Sequence, residues 1–199
     1  SDDQIRAGVF FNQSAFGEPV LTGLLPAGME YETFAGFASF VDAQDLTALE
    51  QIVAARDTFI IPGSLPDVPV FPGATPGLIA GGRHNTLDEL RAGAAVETIR
   101  ALGPRYHAAL NLALALATQR ALAHLNAPRG TRIYIEGGFA SNTIYCRLLA
   151  TLCPEYKWVL THAKEGTSFG AALCAWAAAD QVTPRDLTGR YQIETTPVK

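Results

Sequence analysis

Clustered positive charge is missing from this chain. Its 199 residues are only 17% charged, with 15 Lys and Arg against 19 Asp and Glu and a formal net charge of -4. Nucleic acids and anionic membrane surfaces are both bound through dense Lys and Arg, so neither is expected as a partner. Long apolar runs are missing too. The longest, Ala108 to Ala117, is interrupted by Asn111 and falls well short of the ~20 residues that span a bilayer. Residues 1–20 lack a basic segment followed by an apolar one, so no leader is read there and a soluble, cytoplasmic chain is expected. Cysteine is scarce and odd in number, at three, which fits reduced thiols rather than a disulfide frame. Cys146 and Cys153 fall on one expected helix, where seven steps of about 1.5 Å hold them some 10 Å apart, beyond disulfide reach. The four histidines are scattered without zinc spacing, so no metal-ligating set is expected. What is plentiful is hydrophobic side chain, at 48%, enough to bury the core of one large domain spanning 1–199.

Along the chain, apolar runs at Val9–Asn12 and Val20–Leu25 flank Phe16-Gly17-Glu18-Pro19 and read as a β-hairpin. Met29–Phe40 and Asp45–Ala55 read as helices, the second capped by Asp42 or Asp45 with Leu46, Leu49, Ile52 and Val53 on one face. Thr58–Ile61 reads as a strand. Residues 62–82 carry five of the twelve prolines and five of the eighteen glycines, which predicts an internal loop and disfavours a central strand. A helix over Thr86–Arg100 follows, with Thr86 as cap and Asp88 and Glu89 suiting its dipole. Pro104 opens a longer helix to Leu125, apolar nearly all round and so expected to be deeply buried.

Residues 132–179 carry the most chemistry. An apolar strand, Arg132 to Glu136, meets the pair Gly137-Gly138. A helix, a second strand over Lys157–Thr161 and a small-residue helix announced by Glu165-Gly166-Thr167 follow. Two strand-to-helix turns at one sheet edge bring backbone N–H groups and helix N-termini together where anionic ligands bind, which makes this a nucleotide-site candidate. Helix, strand, helix, strand, helix normally gives a parallel sheet with right-handed crossovers. With the hairpin before it, an antiparallel hairpin followed by αβαβα is the layout of the ribonuclease H-like α/β domain found in actin, hexokinase and sugar kinase ATPases.

At this level of detail the chain resembles the C-terminal domain of the FGGY carbohydrate kinases. Ile133-Tyr134-Ile135-Glu136-Gly137-Gly138-Phe139-Ala140-Ser141-Asn142 resembles the family's adenosine motif, and Glu165-Gly166-Thr167-Ser168-Phe169-Gly170-Ala171-Ala172 is similar to its Glu-x-Thr-Ala-x-Gly-Ala-Ala segment. The hairpin tip and Gly28-Met29-Glu30 carry a weaker similarity to fuculokinase-like and rhamnulokinase-like members. The resemblance implies ATP and Mg2+ as cofactors, ATP or ADP and a small sugar of the ketose class as partners, and an N-terminal domain that holds the sugar. It also implies a general-base Asp and a Ser/Thr-Gly-Thr phosphate loop, neither of which this chain contains. No catalytic residue is therefore assigned to it, and the chain alone is expected to be inactive.

The implied cofactor-binding residues are Gly137, Gly138, Phe139, Asn142, Glu165, Gly166 and Thr167. Each has a second reading. The glycines either admit adenosine or make a tight turn. Asn142 either bonds the nucleoside or caps the next helix. Glu165 suits a helix N-terminus without any ligand, and Thr167 can cap that helix. Phe139 and Tyr145 either face a base or pack, while Trp158 and Trp176 read as core. The rival to a kinase is a non-catalytic nucleotide-binding module of the same fold. The oligomeric state is left open, a homo-oligomer included.

Overall fold

The computed structural model describes residues 4, 8–41, 45–65, 71, 73–162 and 166–198. The chain opens with the expected hairpin, β1 (Val9–Gln13) and β2 (Pro19–Gly23), antiparallel in the register Val9↔Gly23 to Gln13↔Pro19. Its tip closes when Ser14 N–H donates to Glu18 O at 2.9 Å, and Arg185 pairs with Glu18 while covering the Phe16 ring. Helix α1 (Ala27–Gly36) is shorter than its sequence pattern. Helix α2 (Leu46–Ala55) takes Asp45 as its cap, the carboxylate accepting from Thr47 N–H, while Asp42 lies outside the described residues.

β3 (Thr58–Ile61), β4 (Gly77–Ala80) and β5 (Arg83–Thr86) form a three-stranded antiparallel sheet in that order. The loop expected over 62–82 thus ends as a central strand. β4 starts directly after Pro76, so proline withholds no N–H from its ladder. Thr86 caps as expected, in a full capping box with Glu89, but the helix it starts is broken into α3 (Leu87–Arg91) and α4 (Val96–Leu102). The break falls at Gly93, which sits at φ +75.

Helix α5 (Pro104–Leu125) is the axis of the core. Its Tyr106, Ala108, Leu110, Leu114 and Ala115 are fully buried, and it packs on α1, α2, β2 and β3. Burial all round holds only for its first half, for Leu116 is already 42% exposed. The Tyr106 hydroxyl donates to Phe34 O at 2.9 Å, which satisfies a group that its burial would otherwise leave unpaired.

β6 (Arg132–Ile135) is followed by a 3-10 turn over Gly137–Ser141, helix α6 (Thr143–Leu152) and β7 (Lys157–Thr161). β6 and β7 pair in parallel from Arg132↔Lys157 to Ile135↔Leu160, as a single-helix crossover dictates. Helix α7 (Gly166–Ala179), a 3-10 turn over Pro184–Leu187 and β8 (Thr195–Pro197), antiparallel to β7, complete the chain. Trp158 is buried as expected, but Trp176 is 39% exposed. Its indole N–H donates to Asp180 and Arg190 covers its ring, so its polar edge and face are satisfied at the surface instead.

The thiols divide accordingly. Cys146 and Cys153 are buried and Cys174 is exposed. Burial pushes the Cys146 thiol up to about 11 and that of Cys153 upward too, so little reactive thiolate exists on either at neutral pH. Alkylation followed by mass spectrometry should modify one residue, Cys174, in the native chain and all three in denaturant. Native labelling of Cys146 at a comparable rate would contradict this packing.

Candidate functional site

The parallel pairing of β6 and β7 puts the carboxyl ends of both strands on one side, and the two glycine motifs meet there. Glu136, which directly follows β6, extends its carboxylate to the start of α7. A Cβ added to Gly166 would stand 2.9 Å from Glu136 Oε2. A carboxylate at a helix N-terminus is held by the unsatisfied N–H groups and the dipole, typically by ~0.3–1 kcal/mol. Glu136 belongs to the motif but stands outside the set of implied ligands. It is therefore a residue at the candidate site that spacing alone missed. Glu165 lies outside the described residues. Thr167 falls inside the first turn of the helix rather than before it, and is exposed.

The two glycines separate physically. Gly137 sits at φ +68, a region that a side chain resists, so the turn itself requires it. Gly138 has no such φ, is exposed, and a Cβ built on it would meet nothing within 4 Å. Nothing in the fold asks for glycine at 138.

Phe139 turns inward. Its ring lies 4.3 Å from that of Tyr145 at 36°, and 5.7 Å edge-on from that of Tyr31 in α1. This aromatic stack forms the floor beneath the glycines and ties α1 to the site, a link the sequence hides because it joins residues far apart in the chain. Tyr145 is held in turn by its hydroxyl, 2.7 Å from Thr118 Oγ1 on α5. Asn142 is the N-cap of α6, its Oδ1 accepting from Tyr145 N–H at 3.1 Å. Its Nδ2 donates to Asn111 Oδ1 at 2.7 Å. Both ends of the amide are thus engaged within the protein.

The described residues place no group of three or more His, Cys, Asp or Glu side chains where it could hold a metal ion. No helix among them is long and apolar enough to cross a membrane.

A carbohydrate kinase from Novosphingobium aromaticivorans of known crystal structure superimposes with a TM-score of 0.61 over 97% of this chain, at 23% sequence identity. Identity that low speaks for the fold alone, which is the sugar kinase and actin-like ATPase fold. The chain spans 37% of the length of that kinase. No curated protein matches. The family description "Carbohydrate kinase FGGY, C-terminal domain" matches residues 4–184, nearly the whole sequence. The chain belongs to the FGGY carbohydrate kinases, as their C-terminal domain.

Proposed function

We propose that this chain holds the adenine nucleotide of an ATP-dependent carbohydrate kinase. Polypeptide outside it would hold the sugar, a small one such as a ketose, together with the general base. The complete cytoplasmic enzyme would transfer the γ-phosphoryl group of ATP to a sugar hydroxyl. The observation that carries the reading is Gly138, a glycine that the fold does not need, at the carboxyl edge of a parallel strand where open α/β sheets take their ligands. The Glu136 carboxylate beside it refines the assignment. Negative charge at the start of α7 repels phosphate, so the neutral adenosine fits this edge and the phosphates extend away from it.

In such a transfer the protein contributes positioning and electrostatic stabilisation rather than covalent chemistry. Gly138 leaves room for the nucleoside, and the Phe139 floor keeps the turn in place beneath it. Magnesium, when bound with the nucleotide, neutralises charge on the phosphates.

Calorimetric titration of the chain with ADP tests the binding half of the proposal, and a coupled ADP-release assay over a panel of ketoses tests the division of labour. Binding of ADP is expected, with no sugar-dependent turnover above about 1 s⁻¹, the low end of ordinary enzymes. Absence of ADP binding at millimolar concentration would remove the nucleotide assignment. Turnover at an ordinary rate would show that the chain is a complete enzyme. Binding without turnover in the full-length protein would favour the non-catalytic module.

A further inference from the structure

We propose that Asn111, buried in the middle of α5, is a positioning residue for the nucleotide turn and acts through Asn142; the inference rests on the nucleotide reading above. Asn111 is the one amide in the run Ala108 to Ala117 and is 1% exposed. Asparagine is a poorer helix former than the alanines and leucines around it, and burying its amide is unfavourable unless every polar atom is partnered. Its Nδ2 donates to His107 O at 2.9 Å, which fixes the amide with Oδ1 facing away from α5, and that oxygen accepts from Asn142 Nδ2 at 2.7 Å.

Asn142 is the hinge between the glycine turn and the helix after it. Its N–H donates to Phe139 O at 3.0 Å and closes the 3-10 turn, while its Oδ1 caps α6. Phe139 O also accepts from the Cys146 thiol at 3.2 Å, and Ser141 Oγ donates to Gly138 O at 2.9 Å. The carbonyls of residues 138 and 139 are therefore engaged by Ser141 within the turn and by Asn142 and Cys146 at the start of α6. The side chain that orients this arrangement is itself held from α5, 31 residues upstream. An apolar pair at 111 and 142 would fill the same space, but it would also remove the cap that Asn142 gives α6. The amide pair does what an apolar pair cannot: it fixes the angle at which the turn leaves the core.

The test is a double-mutant cycle in the complete chain, read by ADP calorimetry and by the backbone amide NMR signals of Gly137 and Gly138. Asn111→Ala and Asn142→Ala should each weaken ADP binding about 5- to 10-fold and shift both glycine signals. The double variant should bind no more than about twofold more weakly than the weaker single, because the two residues act as one unit. Should Asn111→Ala fold poorly, Asn111→Leu preserves the volume and still removes the acceptor. ADP affinity within twofold of the unsubstituted chain with unmoved glycine signals would overturn the inference, as would single losses that multiply in the double variant. If the unsubstituted chain binds no ADP, the nucleotide reading fails separately, and the glycine signals still decide whether Asn111 sets the turn.

Discussion

Valine at position 138 is expected to weaken ADP binding by at least about tenfold, roughly 1.4 kcal/mol, while the melting temperature in the absence of nucleotide stays within about two degrees. The separation of the two effects follows from local geometry. A Cβ at 138 meets no protein atom within 4 Å, so the branched side chain would cost the fold little and would occupy the space proposed for adenosine. Valine at the neighbouring position makes the control. Gly137→Val forces a β-branched residue to φ +68, which costs about 1–2 kcal/mol before any contact is counted. That variant should lose melting temperature as well as affinity. Unchanged ADP affinity in a folded Gly138→Val protein would end the adenosine assignment.

The largest loss of stability is expected from Glu30→Ala. Glu30 is wholly buried, at 0% exposure, and its carboxylate accepts from Gly63 N–H at 2.9 Å and from Ser64 N–H at 2.8 Å. Hydrogen bonds to a charged group contribute ~1.5–3 kcal/mol each, and truncation would strand both donors. A loss of about 3–5 kcal/mol follows, near the top of the range for single substitutions. In a domain of this size that lowers the melting temperature by roughly 8–15 °C. Glu30→Gln keeps one acceptor and should lose about half as much. Chemical denaturation of the variants measures both, and a Glu30→Ala protein within 1 kcal/mol of the parent would show that the 63–64 turn is held by something else.

Glu30 also shows where sequence reading stopped. An acidic residue in a short helix reads as solvent-facing, and its partners lie 33 and 34 positions away. What could be read was local. Asp45 and Thr86 announced helix starts because capping is a matter of three or four residues. The long helix from Pro104, the parallel pair 132–135 and 157–161, and the turn at Gly137 followed from propensity, crossover length and glycine. The strands at 77–80 and 83–86 were not legible. Each is four residues long, and the first follows a stretch dense in proline. Trp176 was assigned to the core on size alone, which ignores that Asp180 and Arg190 can satisfy it outside. At the site, the strand edge and both glycines were visible, whereas the Asn111–Asn142 link and the Tyr31 floor join distant segments and leave no periodic trace.

The three sheets, order β1-β2, β3-β4-β5 and β6-β7-β8, share no ladder with one another among the described residues. Helix α5 touches β2 and β3 directly and reaches β7 through α6. Tension between the sheets is therefore borne by side-chain contacts, those along α5 foremost with Tyr31–Phe139 and Arg185–Glu18 beside them, and by no shared strand ladder among the described residues. Amide exchange in α5 should then be the slowest in the chain, and exchange from all three sheets should converge on that one rate as denaturant brings global opening within reach.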